Sequence, residues 1–275
     1  TMDAPEPVAA IDGTQVVISW DAVVSPFAVE WYEVQDVNGQ PVGKVKATEM
    51  RFEAPAAGTY SWRVRCIDIA GNLGPWGECS ITLGAPAAPV LTVSLNEDLV
   101  DLVWSKTAAD LPVVAYDVVR VWEETRADGV VETREWDYGR VDVQALSVPA
   151  MSVGTHTFMV RAVDNAGTTG PWGSADFVVR APGRVTFFDC GSVDNNVMIY
   201  YTDPDYVFFP IREYLVEEIE DGLGMELGRT DAHFFADIRS TAGDFVYGIT
   251  PVDAAGNLGQ RNTMRIAVSP PPDFI

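Results

Sequence analysis

Apolar residues recur at every second position in three separated parts of this chain. Tyr60, Trp62, Val64 and Cys66 make one run, His156, Phe158, Val160 and Ala162 a second, and Phe245, Tyr247, Ile249 and Pro251 a third. Shorter runs of the same period stand upstream and end on an aromatic: Val16, Ile18, Trp20; Val100, Leu102, Trp104; Val197, Ile199, Tyr201. A period of two belongs to a strand with one buried face. No stretch carries the sustained apolar stripe of an amphipathic helix. After each upstream run a tyrosine follows, at Tyr32, Tyr116 and Tyr214. The alternation predicts an all-β chain.

The runs are copies of one another. Arg65-Cys66-Ile67-Asp68-Ile69-Ala70-Gly71-Asn72 returns as Arg161-Ala162-Val163-Asp164-Asn165-Ala166-Gly167-Thr168 and as Thr250-Pro251-Val252-Asp253-Ala254-Ala255-Gly256-Asn257, at offsets of 96 and 89 residues. The first two continue into Gly-Pro-Trp-Gly, at Gly74–Gly77 and Gly170–Gly173, where the third reads Gly259-Gln260-Arg261-Asn262. Such self-similarity marks a tandem array. Each repeat of roughly 90 residues, with frequent turn signals, predicts a β-sandwich. Small and proline-rich joints divide the chain into residues 1–84, 85–181 and 182–275, the last ending in the proline-rich tail 269–275. Proline stiffens such joints, so an extended, semi-rigid array is expected, about 100 Å long if each sandwich measures roughly 35 Å. The tail cannot continue a ladder and is expected to pack on a neighbour or stay disordered.

Composition narrows the function classes. The 275 residues are 47% hydrophobic and 11% aromatic, ample for folded cores, while 40 Asp and Glu against 18 Lys and Arg leave a net charge of -22. A surface that negative repels phosphates, which argues against nucleic acid and anionic membranes. No apolar run reaches the ~20 residues of a bilayer span, so no membrane insertion is expected. The opening residues show neither a basic nor an apolar leader segment. Cys66, Cys79 and Cys190 lack C-x-x-C spacing, and His156 and His233 lack an H-x-x-x-H partner. Neither a metal site, a cofactor nor a catalytic nucleophile is indicated. Each repeat carries negative charge, which favours an extended array and discourages pairing of edge strands.

Trp20 and Tyr32 in the first repeat, and Trp104 and Tyr116 in the second, resemble the strand aromatics of the fibronectin type III family. Tyr60 and His156 stand where that family has its tyrosine corner, although His156 could serve only through a ring nitrogen. The third repeat, with Tyr201, Tyr214 and Phe245, is looser, since Phe245 has no hydroxyl. The resemblance implies three tandem fibronectin type III-like (immunoglobulin-like) sandwiches. Val-Asp-x-Ala-Gly-Asn followed by Gly-Pro-Trp-Gly is also similar to modules in tail-tip and tail-fibre proteins of long-tailed bacteriophages. That likeness implies a non-enzymatic virion protein assembled in the host cytoplasm. It would contact other tail proteins and a host-surface glycan or protein, and a homo-oligomer such as a trimer is compatible with it. Such modules also occur in secreted bacterial proteins, so a spacer or binding module beside a carbohydrate-active domain is the alternative. An enzyme in its own right is a third class, and no motif supports it.

Candidate contact residues come from what the repeats do not share. The span from Trp104 to His156 is 52 residues, against 40 from Trp20 to Tyr60. The excess surrounds Asp128-Gly129, one of three hairpin-type turns with Asn38-Gly39 and Asp221-Gly222. A projecting ribbon is expected there, bearing Trp122, Trp136 and Tyr138, with Arg126, Arg134 and Arg140 as hydrogen-bond donors. Folding down onto the sandwich is the competing arrangement. Trp76 and Trp172 lie just past glycine-rich turns, either presented to a partner or folded back on their own sandwich. Asp68, Asp164 and Asp253 suit turn chemistry, with calcium binding as the competing reading. The remaining aromatics of the alternating runs, and His156, are expected in the cores; Cys66 and Cys79 as buried thiols or, less simply, a cross-strand disulfide.

Overall fold

The computed structural model describes residues 2–269; the expectations for the tail beyond Ser269 lie outside the described residues. The first domain comprises β1 (Val8–Asp12), β2 (Gln15–Ser19), β3 (Val29–Asp36), β4 (Pro41–Val45), β5 (Glu49–Glu53), β6 (Gly58–Asp68) and β7 (Gly77–Leu83). The second comprises β8 (Leu91–Asn96), β9 (Leu99–Trp104), β10 (Val113–Thr125), β11 (Val131–Val141), β12 (Ala145–Pro149), β13 (Gly154–Asp164) and β14 (Gly173–Val179). The third comprises β15 (Phe188–Val193), β16 (Asn196–Tyr201), β17 (Ile211–Glu220), β18 (Leu223–Thr230), β19 (Phe234–Ile238), β20 (Gly243–Asp253) and β21 (Asn262–Val268).

One topology is used three times. A three-stranded sheet, β1-β2-β5, faces a four-stranded sheet, β4-β3-β6-β7, and the same orders return as β8-β9-β12 with β11-β10-β13-β14 and as β15-β16-β19 with β18-β17-β20-β21. Even the register repeats: Tyr32 pairs with Cys66, Tyr116 with Ala162 and Tyr214 with Pro251. The chain is therefore three all-β sandwiches of fibronectin type III-like strand order.

The alternating residues fill the space between the sheets. Val16, Ile18, Trp20, Tyr32, Val34, Trp62, Val64 and Cys66 form the first core, with Trp20 and Tyr32 at 5.3 Å between ring centroids. Trp104 and Tyr116 repeat that contact at 5.6 Å, Tyr201 and Tyr214 at 4.7 Å. Tilted and edge-on aromatic pairs of this kind favour one packing over its alternatives. Cys66 is buried and Cys79 half-buried, and both are free thiols. Tyr60 donates its hydroxyl to Ala56 O at 2.9 Å, and His156 makes the same corner through Nε2 to Ser152 O at 2.7 Å.

The hairpin turns divide into two types. At Asn38-Gly39 and Asp128-Gly129 only the glycine has positive φ, and Asp36 and Arg126 close wider loops onto Gln40 and Val130. Asp221-Gly222 has positive φ at both residues, the two-residue turn suited to strand twist.

Each joint is built by the following domain. Leu111, just before β10, is buried within the first domain's core, and Phe209, just before β17, within the second's. Ala57 N donates to Thr168 Oγ1 at 3.0 Å across the first joint, and Val153 N to Asn257 Oδ1 at 3.0 Å across the second. The loop after β13 and the loop after β20 thus serve as equivalent clasps.

Candidate functional site

The second domain's hairpin is the largest departure from the shared plan. β10 and β11 remain paired out to Thr125 and Val131, whereas β13 accompanies β10 only as far as Trp122, opposite His156. Beyond that point the ribbon is two-stranded. Trp136 lies at the base of the ribbon, on the edge strand and short of that point, 57% exposed. Directly across from Trp136 is Arg120, whose guanidinium lies 4.2 Å from the ring centre of Trp122. Among the described residues Arg120 enters no ion pair, which leaves an aromatic shelf backed by a cation. The sequence reading did not single out Arg120; its inward strand parity, followed two residues later by a Trp, was the available signal.

A groove separates this ribbon from the turn before β13, lined by Trp122, Glu124, Thr133, Ser152, Thr155 and Thr157 among others. Its walls supply one aromatic ring, hydroxyls and the carboxylates of Glu123 and Glu124. Those groups suit a polyhydroxylated or peptide-like contact.

The other expected ribbon residues have different surroundings. Arg126 pairs with Glu132 at 2.7 Å, and Arg134 with Glu124 at 2.8 Å and Glu132 at 2.9 Å. Arg140 pairs with Asp117 at 2.8 Å. These arginines brace the hairpin, and a ligand would have to compete with carboxylates already in place. Water screens exposed pairs of this sort, so the bracing governs shape more than stability. Tyr138 is drawn inward, contrary to its expected projection. The register slips between Val118 and Val119, leaving Tyr138 as the extra residue, and it stacks on Phe158 at 6.5 Å. Burial pushes its phenol pKa upward.

Trp76 and Trp172 lie back over arginines of their own sheets. Arg63 and Arg65 stand 4.6 Å and 4.3 Å from the Trp76 ring centre, and Arg161 4.5 Å from that of Trp172. The folded-back arrangement is the one observed. The third domain has Arg261 in place of the tryptophan, and that side chain pairs with Glu217 at 3.3 Å.

Asp68, Asp164 and Asp253 are all buried, each bound by its own turn. Asp68 Oδ1 accepts the Ala70 and Asn72 amides at 2.9 Å and 2.8 Å, while Oδ2 accepts Asn72 Nδ2 at 2.9 Å. That side-chain amide holds Asp68 below the usual carboxylate range. Asp253 repeats all three contacts with Ala255 and Asn257. The carboxylates are therefore turn-formers, and the clasp residues Thr168 and Asn257 hang from them.

His233 adds a surface cluster, with Nε2 3.0 Å from Asp203 Oδ1, which also accepts the Tyr214 hydroxyl at 2.7 Å. Together they keep Asp203 ionised to lower pH, His233 being the larger influence.

No protein-family model matches this sequence, and no curated protein matches it. Among solved structures, the FN1-FN3 domains of chicken CNTN1 align over 96% of this chain and 99% of that one, with 12% identity and a TM-score of 0.29.

Proposed function

We propose that this chain is a non-catalytic structural and adhesive protein, a fibre or tip component of a bacteriophage tail. Its three sandwiches would space the second domain's ribbon from the particle and present it to other tail proteins or to a host-surface glycan or protein. The observation that carries this reading is the ribbon and its base, where Trp136, Trp122 and Arg120 are grouped at the edge of the four-stranded sheet. Exposed aromatic groups of this kind serve contacts more often than packing. The joints support a spacing role, because buried Leu111 and Phe209 tie neighbouring domains together. The assignment to a phage tail rests on the similarity of the Val-Asp-x-Ala-Gly-Asn and Gly-Pro-Trp-Gly loops to tail modules.

The test is to image tailed particles from the source with an antibody against the second domain. Label on the tail is expected. Label absent from particles, with the chain recovered instead beside a secreted polysaccharide-degrading enzyme, would replace this reading with the spacer-module one. Turnover of host polysaccharide by the purified chain, abolished by one carboxylate substitution, would overturn the non-catalytic part.

A further inference from the structure

Three positions make both internal joints. At the first they are Leu111, Ala166 and Thr168, and at the second Phe209, Ala255 and Asn257. Leu111 and Phe209 are 2% and 0% exposed inside the preceding domain's core, and Ala166 and Ala255 pack against that core. The equivalent positions in the first domain are Phe27, Ala70 and Asn72. The backbone fixes this alignment, because the amides of Ile69, Asn165 and Ala254 donate to the carbonyls of Ala28, Pro112 and Pro210, the residues that follow Phe27, Leu111 and Phe209.

In the first domain this set is bare. Phe27 is 54% exposed and Ile69, beside Ala70, 64%. Nearby Val24 is 77% exposed. Asn72 already holds Asp68 through Nδ2, as Asn257 holds Asp253, but only Asn257 has an amide donor from a neighbouring domain on its Oδ1.

The sockets differ as well. Ala54 and Ala150 follow β5 and β12 at the two occupied poles, donating their amides to Thr14 and Asp98. Arg239 takes that place after β19, with its amide on Asn195. Its side chain is only 12% exposed, pairing with Glu218 at 2.7 Å and Asp237 at 2.6 Å and donating to Tyr247 Oη at 2.6 Å. The third domain's pole is thus filled by its own charged network and does not match the plug.

We propose that the Phe27 pole of the first domain docks into the distal pole of a further β-sandwich, one with a small residue where this chain carries Arg239. Phe27 enters that sandwich's core as Leu111 and Phe209 do, and Asn72 Oδ1 accepts the amide preceding its sixth strand. Continuity with two joints made by the same positions selects this partner over a second copy of the chain.

The probe is the full chain with Arg239→Ala, Glu218→Gln and Asp237→Asn to open the third pole, and Phe27→Asp to remove its own plug. It is titrated into isotope-labelled wild-type chain, and amide resonances are followed at millimolar sensitivity. Shifts confined to the segments 24–28 and 69–73, lost when the labelled chain carries Phe27→Asp, are expected. Shifts elsewhere, or none with a folded probe, overturn the proposal, as does concentration-dependent pairing of wild-type chain without probe. If the probe loses its dispersed spectrum, residues 85–181 are fused ahead of the full chain. Hydrogen exchange at 69–72 should then slow at least tenfold, and unchanged exchange overturns the proposal.

Discussion

The Gly-Pro-Trp-Gly loops and the second domain's ribbon place the same two side chains in different surroundings. Trp172 lies over Arg161, and Arg161 is itself tied to Asp117 at 3.0 Å. Trp122 lies over Arg120, but among the described residues Arg120 has no carboxylate partner, and across the ladder stands Trp136, largely in water. In the loop, cation, ring and carboxylate satisfy one another, and nothing is left to offer. On the ribbon the set is open on one side. Whether a Trp–Arg pair is scaffold or contact surface is decided by what occupies its remaining faces.

The largest effect that could break this comparison lies beneath it. Trp104→Ala should cost about 3–5 kcal/mol through the cavity it leaves, and calorimetry should show the second domain melting early, with a smaller shift in the first, whose core holds Leu111. If the second domain's transition does not move, Trp104 is not a core residue and the ribbon has no rigid base.

Next in size is the corner under the ribbon. Burial lowers the pKa of His156 from 6.5, with Ser152 O opposing and Arg120 adding to the shift. The folded state therefore favours the neutral ring. That stability is complete above the unfolded value and is lost as pH falls through 6.5 towards the folded one. The second domain's melting temperature should drop between about pH 7 and pH 5, and His156→Tyr should remove most of that drop. An equal drop in the variant would assign the acid sensitivity to carboxylates elsewhere.

Smaller still is the loop pair itself. Trp172→Ala should cost roughly 0.5–1 kcal/mol, the range of an exposed cation–π contact. A double-mutant cycle with Arg161→Ala should recover a coupling of similar size. Trp136→Ala should change stability by less than about 0.5 kcal/mol, as for a surface position without special contacts. A Trp136 cost equal to that of Trp172 would show the ribbon aromatic to be scaffold after all.

Much of the architecture was legible because the sequence states it three times. Val16, Ile18 and Trp20 are ambiguous alone, but with Val100, Leu102, Trp104 and Val197, Ile199, Tyr201 they define one strand in one sandwich. His156 as a corner residue followed from its alignment with Tyr60. What stayed hidden was held by contacts distant in sequence. Leu111 sits in a loop with no periodicity and is buried only because the preceding domain's core opens towards it. Thr168 and Asn257 read as turn residues, which they are, yet their oxygens also clasp a neighbour. Tyr138 shares the face of Trp136, but its stacking on Phe158 depends on a register that includes a one-residue bulge, and bulges of that kind leave no mark in an apolar pattern. The ribbon arginines were visible, but their carboxylate partners across the hairpin depend on register, which spacing alone does not fix.

The most direct test is to remove the ribbon's tip and its open aromatic together. Register places Trp122 opposite Arg134, so an Asn-Gly turn replacing residues 123–133, combined with Trp136→Ala, shortens the hairpin without displacing its base. Three cooperative transitions should survive, while adsorption of particles carrying the variant to host cells falls at least tenfold. Adsorption equal to wild type from a correctly folded variant would contradict the account and leave the ribbon without a contact role.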